Sequence, residues 1–192
     1  MNHLLQLNGR RTIIFNREYI LRKTVLILGG CRSGKSSHGL HLADKLAEQK
    51  IFIATCVPHD KEMKQRVLHH QKQRNPNWKT LEVPLLLPEA ICENSLQGHV
   101  ILVDCLTLWI NNLLMENSDP ENIDMHVQKL IQSLEKTECP VIQVSNEVGT
   151  GIVPENKLAR LFRDIAGFAN QKIAACVDSV VWMVAGIPVE IK

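Results

Sequence analysis

The chain has 192 residues, of which 45% are hydrophobic and 22% are charged, and its formal net charge is +2 with histidine neutral. This length predicts one domain with a single core, and the composition excludes disordered and fibrous classes. The small net charge argues against a nucleic-acid-binding surface, and no apolar run reaches the roughly 18 residues that a membrane span needs.

Residues 1–23 form an N-terminal extension with five Arg or Lys residues and one Glu. Its β-like runs at residues 4–7 and 12–15 leave three interpretations open: an extra hairpin, a flexible arm or an organelle presequence. The presequence ranks last because the segment has no Ser, and the apolar stretch of a secretory signal is missing. We therefore expect a cytoplasmic protein whose domain spans residues 24–192.

The domain alternates strands and helices in its pattern of apolar residues. Strands are predicted at residues 24–28, 51–55, 78–83, 100–104, 140–145 and 179–185, with an edge strand at 189–191. Helices are predicted from residue 37, at 60–74 and 107–115, after Asp119-Pro120, and at 157–175, and residues 148–154 form a Gly-rich loop. Alternating strands and helices predict a doubly wound α/β fold with a predominantly parallel sheet flanked by helices.

A phosphate-binding loop follows the first predicted strand and precedes the first predicted helix. Its residues fit the G-x-x-x-x-G-K-[ST] pattern and are Gly29, Gly30, Cys31, Arg32, Ser33, Gly34, Lys35 and Ser36. In such a P-loop the backbone N–H groups and the helix N-terminus bind phosphate oxygens, the lysine reaches the outer phosphates, and the Ser hydroxyl can ligate Mg²⁺. The sequence therefore predicts a nucleotide-binding enzyme.

A second Mg²⁺ ligand is expected at the end of a neighbouring buried strand, and Asp104 closes the apolar run 100–103. The alternative for Asp104 is a helix cap before Leu106.

Two adjacent histidines, His69 and His70, lie in the polar helical segment. Helical spacing places His70 with Met63 and Val67, which leaves His69 as the more accessible imidazole. A neutral imidazole can attack an activated phosphorus, but a solvated helix face with one packed histidine is the other interpretation.

The six cysteines are scattered without a C-x-x-C pair. This spacing argues against zinc and against a disulfide scaffold, and it favours buried, reduced thiols.

Taken together, the motifs resemble the bifunctional adenosylcobinamide kinase and adenosylcobinamide-phosphate guanylyltransferase family. The resemblance runs from about residue 24 to the end of the chain. It is carried by residues 29–36, 53–55, 104–107, 145–154 and 162–167, by Glu62-Met63 with Arg66 and His69-His70, and by Asn170-Gln171.

The resemblance implies a RecA-like P-loop fold, a homotrimer and two reactions. ATP or GTP phosphorylates adenosylcobinamide, and GMP is then transferred from GTP to that phosphate through a covalent GMP–histidine intermediate on His69, with release of pyrophosphate. Mg²⁺, nucleotides and a small corrinoid are the implied partners. The implied nucleotide contacts are residues 29–36, Ile53, Ala54, Thr55, His70, Gln71, Lys72, Gln73, Glu82 and Asp104.

Glu82 suits guanine because a carboxylate can accept hydrogen bonds from N1–H and from the exocyclic amine, although a surface strand charge is the other interpretation. Asn146, Glu147 and the Gly149–Gly151 loop are expected to line the site, and Arg163 and Asp164 could form a helical ion pair. The chain departs from the family pattern at Cys31, where a small Ala is common, and in residues 1–23.

Three alternatives stay open at this point. The chain could be a P-loop kinase of another small metabolite, a non-catalytic nucleotide-binding switch or assembly subunit, or an enzyme that has kept only guanylyl transfer.

Overall fold

The computed structural model describes residues 24–58, 65, 77–97, 99–117 and 119–192. Residues 1–23, most of the predicted helical segment 60–74, and the site residues His69, His70, Gln71, Lys72 and Gln73 lie outside them. The elements in chain order are β1 Thr24–Gly29, α1 Lys35–Leu46, β2 Gln49–Ala54, β3 Trp78–Glu82, α2 Leu87–Asn94, β4 His99–Asp104, α3 Leu106–Glu116, α4 Pro120–Glu135, β5 Val141–Asn146, α5 Lys157–Cys176, β6 Ser179–Val184 and β7 Ile187–Glu190.

The strands form one sheet in the order β3-β2-β4-β5-β1-β6-β7. Every pair is parallel except β6 and β7, which are joined by a tight turn and pair antiparallel. The predicted α/β class with a mostly parallel sheet is therefore confirmed. Because the six parallel strands point the same way, their carboxyl ends meet along one edge of the sheet.

Apolar side chains cover both faces of the sheet, as the continuous apolar runs of buried parallel strands require. One cluster packs α2, α3, α4 and α5 on the face that contains Leu26, Ile101 and Val103. The other packs α1 on the face that contains Ile27 and Leu102. Among the described helices, none is long and apolar enough to cross a membrane.

Helix starts follow the local chemistry of their first residues. Asp119 caps α4 by accepting from the Glu121 N–H at 3.1 Å, and Asn156 caps α5 by accepting from the Ala159 N–H at 3.0 Å. These side chains satisfy donors that have no partner inside the helix. The predicted starts after Asp119 and at residue 157 are confirmed.

Three sequence expectations differ from the structure. Helix α2 was not predicted at all. The strand predicted at 179–185 ends at Val184, because Ala185 and Gly186 have φ angles of +49° and +82° and form the turn into β7. Two cysteines predicted to be buried, Cys31 and Cys92, are exposed; none of the six is in a disulfide.

Candidate functional site at the carboxyl edge of the sheet

The predicted site residues of the described strands lie along the carboxyl edge. Ala54 at the end of β2 pairs with Asp104 of β4 on one side and with Glu82 of β3 on the other. Further along the edge, Gly29 of β1 pairs with Asn146 of β5. Open α/β sheets bind their ligands outside the carboxyl ends of the strands. The fold thus brings the ends of five strands, each with a predicted site residue, to one edge of the sheet.

The phosphate loop depends on glycine where the chain passes closest to its neighbours. A Cβ atom on Gly29 would lie 2.7 Å from the carbonyl oxygen of Met183 and 2.7 Å from the Ser33 hydroxyl oxygen. Gly34 has a φ of +94° and precedes the first residue of α1. A larger residue would clash at Gly29 and be strained at Gly34, so both positions require glycine.

The phosphate loop is exposed through residues 30–32 and buried at two later positions. Gly30, Cys31 and Arg32 are exposed, whereas Ser33 and Lys35 are buried. On its inner side the loop is held by the β6–β7 turn, because the Gly186 N–H donates to the carbonyl oxygen of Ser33 at 3.0 Å. The β6–β7 hairpin is therefore hydrogen-bonded to the predicted phosphate-binding loop.

Lys35 folds back onto this loop. Its Nζ atom donates to the carbonyl oxygen of Gly30 at 2.5 Å and lies 3.5 Å from Ser33 Oγ. Burial lowers the pKa of Lys35, and the negative charge of Asp104 opposes that shift. The ammonium group of Lys35 has lost part of its hydration, and the protein groups around it do not fully replace that hydration. This favours the binding of an anion such as phosphate.

Ser36 and Asp104 are the two predicted oxygen ligands of a magnesium ion at the P-loop. Ser36 lies in the first turn of α1, and Asp104 lies close enough to Lys35 to raise its pKa. A hydroxyl and a carboxylate are oxygen ligands of the kind that Mg²⁺ prefers. No group of three or more His, Cys, Asp or Glu in the described part of the chain could hold a metal, so nucleotide and water would supply the other ligands.

The alternative interpretation of Asp104 as a helix cap is wrong. The N-cap position of α3 is occupied by Cys105, whose backbone is extended. The thiol of Cys105 is fully buried, which raises its pKa to about 12 and keeps it neutral. Asp104 is therefore the acidic side chain at the end of β4, and the neutral thiol of Cys105 adds no charge there.

Of the predicted contacts at the end of β2, Ala54 is partly exposed, whereas Ile53 and Thr55 are fully buried. The Thr55 hydroxyl accepts from the Cys105 N–H at 2.9 Å and donates to the Cys105 carbonyl oxygen at 2.7 Å. The Thr55 N–H donates to the Asp104 carbonyl oxygen at 3.2 Å. Thr55 thus fixes the end of β2 against the end of β4, and its side chain is not free to contact a nucleotide.

Glu82 lies at the other end of the site. It is exposed, and it ends the edge strand β3. Four strand intervals separate β3 from β1 in the sheet order, which amounts to about 19 Å at roughly 4.8 Å per strand. The edge therefore has a phosphate-binding end and a distant end with an exposed carboxylate acceptor.

The loop after β5 is fastened to the P-loop strand and to α5. The Glu147 N–H donates to the Gly29 carbonyl oxygen at 3.0 Å, and its carboxylate accepts from the Gly149 N–H at 2.7 Å. Arg163 donates to the Gly149 carbonyl oxygen at 2.5 Å, so it binds this loop and does not form the predicted ion pair with Asp164. The loop therefore lies next to the end of the P-loop strand, and its role in the site stays a prediction.

Sequence reasoning assigned no role to two polar residues of α3. Thr107 is buried and accepts from the Asn146 N–H at 2.8 Å, which joins α3 to the end of β5. Asn112 donates to the carbonyl oxygens of Thr55 and Pro84 at 2.8 and 3.0 Å. Thr107 belongs to the motif at residues 104–107, whereas nothing in the sequence distinguished Asn112 from the neighbouring Asn111.

Comparison with known proteins gives concordant results. The family described as cobinamide kinase / cobinamide phosphate guanyltransferase matches residues 25–191. The bifunctional adenosylcobalamin biosynthesis protein CobU of Salmonella typhimurium is 42% identical over 180 residues, covering 88% of this chain and 99% of its own. CobP of Pseudomonas aeruginosa, with the same description, is 41% identical over 167 residues, 87% of this chain and 96% of its own.

A solved structure supports the fold alone. An ATPase from the type III secretion system of pathogenic bacteria superposes with a TM-score of 0.53 at 10% identity. The match covers 83% of this chain and 50% of that one.

Proposed function

The chain belongs to the cobinamide kinase / cobinamide phosphate guanyltransferase family, and we propose that both reactions run along the carboxyl edge of its sheet. It is a transferase of cobalamin biosynthesis that phosphorylates adenosylcobinamide and then attaches GMP from GTP to the new phosphate. The observation that carries the proposal is the row formed by Glu82, Ala54 and Asp104 on the edge that also holds the P-loop.

In the kinase step, the backbone N–H groups of residues 29–36 hold the triphosphate of ATP or GTP. The aminopropanol hydroxyl of adenosylcobinamide attacks the γ-phosphorus, and the bond to the β-phosphate oxygen breaks. Lys35 leaves the Gly30 carbonyl oxygen and places its charge on the outer phosphates, where negative charge has to be stabilised. Mg²⁺ bound through Ser36 and Asp104 would neutralise part of the phosphate charge.

In the guanylyl step, the imidazole of His69 attacks the α-phosphorus of GTP, and pyrophosphate leaves as the bond to the β-phosphate breaks. An oxygen of the adenosylcobinamide phosphate then attacks the same phosphorus. The phosphorus–nitrogen bond breaks, which releases adenosylcobinamide-GDP and regenerates the histidine. The chain leaves β2 at the site edge through residues 55–58, and the segment with His69 comes next along the chain.

Glu82 selects guanine in this proposal. Its exposed carboxylate accepts from the guanine N1–H and from the exocyclic amine, whereas adenine presents an acceptor at N1 and cannot pair in this way. His70, Gln71, Lys72 and Gln73 complete the nucleotide contacts next to His69. Ile53 and Thr55 take part only through their backbone, because their side chains are buried.

We place the enzyme in the cytoplasm, where its nucleotide and corrinoid substrates are available, and we propose that it works as a homotrimer. Residues 1–23 are an extension outside the catalytic domain of residues 24–192.

The test is to assay the two reactions separately, with adenosylcobinamide and with its phosphate as substrates. His69→Ala should abolish GMP transfer to adenosylcobinamide phosphate and leave phosphorylation of adenosylcobinamide near the wild-type rate. His126→Ala, on α4 and outside the proposed nucleotide contacts, is the matched control and should keep both. Wild-type protein that phosphorylates but never transfers GMP would instead be a kinase alone. Protein that binds GTP tightly and turns over neither substrate would be a non-catalytic subunit.

A further inference from the structure

Asn112 uses its side-chain amide to bridge the ends of two strands. Its Nδ2 atom donates to the carbonyl oxygen of Thr55, the first residue after β2, at 2.8 Å. The same atom donates to the carbonyl oxygen of Pro84, the second residue after β3, at 3.0 Å. One side chain of α3 therefore sets the spacing between these two strand exits.

The exit of β3 needs this support because β3 is an edge strand. Among the described strands, only β2 pairs with it, through a register that ends with Ala54 opposite Glu82. Beyond that pair, the Val83 N–H donates to the Ala54 carbonyl oxygen at 2.8 Å. The chain is then held by α3, since Trp109 Nε1 donates to the carbonyl oxygen of Leu85 at 2.8 Å, one residue past the Asn112 contact.

Trp109, and the Thr55 that Asn112 contacts, are each held in place by further contacts. Trp109 is fully buried in the core beside Leu106 and Ile110. The other target of Asn112, Thr55, is itself locked to Cys105 by hydrogen bonds of 2.7 and 2.9 Å. Helix α3 starts directly after Cys105, so it connects the Asp104 end of the site to the Glu82 end.

We propose that Asn112 is a positioning residue for nucleobase selection: it holds the exits of β2 and β3 where Glu82 can accept two hydrogen bonds from guanine. The inference rests on the proposed role of Glu82. A bidentate contact requires the carboxylate to be placed within about 0.5 Å and 10–20°. Loss of the bridge releases the Pro84 carbonyl oxygen, two residues after Glu82, from α3 and from the exit of β2. It therefore loosens the placement of Glu82 and weakens guanine binding more than adenine binding.

The experiment compares the affinities of full-length protein for the α,β-methylene analogues of GTP and ATP, which block transfer of the nucleotidyl group. The measurement is calorimetric titration without corrinoid. Asn112→Leu removes both donors with the same number and branching of side-chain heavy atoms. It is expected to lower the GTP-to-ATP preference about tenfold or more, mostly through weaker GTP binding. Asn112→Gln keeps two donors on a longer side chain and is expected to fold well and to lose part of the preference.

Asn94→Leu is the matched control. Asn94 donates to the Ala90 carbonyl oxygen at 2.9 Å near the end of α2, which leads away from the site edge towards the start of β4. This variant should keep the wild-type preference. A merely structural role for Asn112 would change both affinities by the same factor.

Glu82→Gln separates failure of the inference from failure of the proposed function. If Glu82→Gln lowers the preference and both Asn112 variants keep it, the positioning role is overturned while the guanine contact stands. If the wild type has no preference for GTP, or Glu82→Gln does not change it, the proposed base contact is wrong and the role of Asn112 falls with it.

Discussion

The Nζ atom of Lys35 donates to the carbonyl oxygen of Gly30 at 2.5 Å, so the lysine side chain folds back and binds the backbone of its own P-loop. Lys35 is buried, and burial lowers its pKa. In the absence of nucleotide, its charge is therefore held at some cost, which binding of phosphate would offset. Lys35 should therefore lower the stability of the nucleotide-free protein although the kinase reaction needs it, and this gives the first prediction.

Replacing Lys35 by Met should lower turnover in the kinase assay by about 10²–10³-fold, since one charge that stabilises the transferred phosphoryl group is lost. The thermal midpoint of nucleotide-free protein at pH 7 should rise. The sign follows from the lowered pKa: at pH 7 the charged form is disfavoured in the folded state, and this penalty falls as pH rises from the folded pKa to the ordinary lysine pKa of 10.5. Calorimetry without nucleotide measures the midpoint.

Lys50→Met is the control for Lys35. Lys50 is also buried, but its Nζ lies 3.1 Å from Asp44 Oδ1 and 5.9 Å from the centre of the Trp78 ring. It lies near the start of β2, away from the site. The substitution should lower the midpoint and leave turnover unchanged. Equal midpoint changes in the two variants would contradict this account of Lys35.

Cys31 should make the enzyme sensitive to alkylation. Its thiol is exposed within the phosphate loop, whereas Cys105 is buried and burial raises its pKa to about 12, so that Cys105 remains an unreactive thiol. N-ethylmaleimide should inactivate the wild type, and bound GTP should slow the loss. Cys31→Ala should keep near-wild-type activity, because the phosphate contacts come from the backbone, and should resist the reagent.

Cys92→Ala controls for the other exposed thiol, which lies on α2. It should be inactivated at the wild-type rate. Rapid inactivation of Cys31→Ala would show that a different thiol controls activity.

Ala185 has a strained backbone that a single substitution should relieve. Its φ is +49° and that of Gly186 is +82°, the left-handed pair of a two-residue hairpin turn. Asn is preferred at such a position, so Ala185→Asn should raise the free energy of unfolding by about 0.5–1 kcal/mol. Ala185→Val should lower it, because β-branched residues tolerate this region poorly. Urea unfolding monitored by circular dichroism measures both; a less stable Asn variant would contradict the prediction.

The fold was largely predictable because its signals are local. Continuous apolar runs marked the buried parallel strands, and Asp119 marked the start of α4 through a cap that the structure contains. Helix α2 escaped prediction because it has eight residues and no side-chain cap, and because Pro84 and Pro88 flank its start. The antiparallel turn at Ala185 escaped because Ala is not a typical residue for a positive φ.

The site was predictable only where one segment carries the chemistry. Residues 29–36 are predicted to bind phosphate from their own spacing, and Asp104 is predicted to ligate Mg²⁺ because it closes a buried apolar run. Asn112 and Arg163 act on carbonyl oxygens that are 28 and 14 residues away in the sequence. No spacing rule reports such contacts, because they depend on which strand ends the sheet order brings together.

The central claim is that GMP passes through a covalent bond to His69. The most direct measurement is to incubate the protein with GTP labelled at the α-phosphorus, denature it, and follow the protein-bound label in acid and in alkali. The account predicts an acid-labile, alkali-stable adduct that is absent from His69→Ala and present in His126→Ala. Wild-type protein that transfers GMP without any such adduct, or an undiminished adduct in His69→Ala, would contradict it.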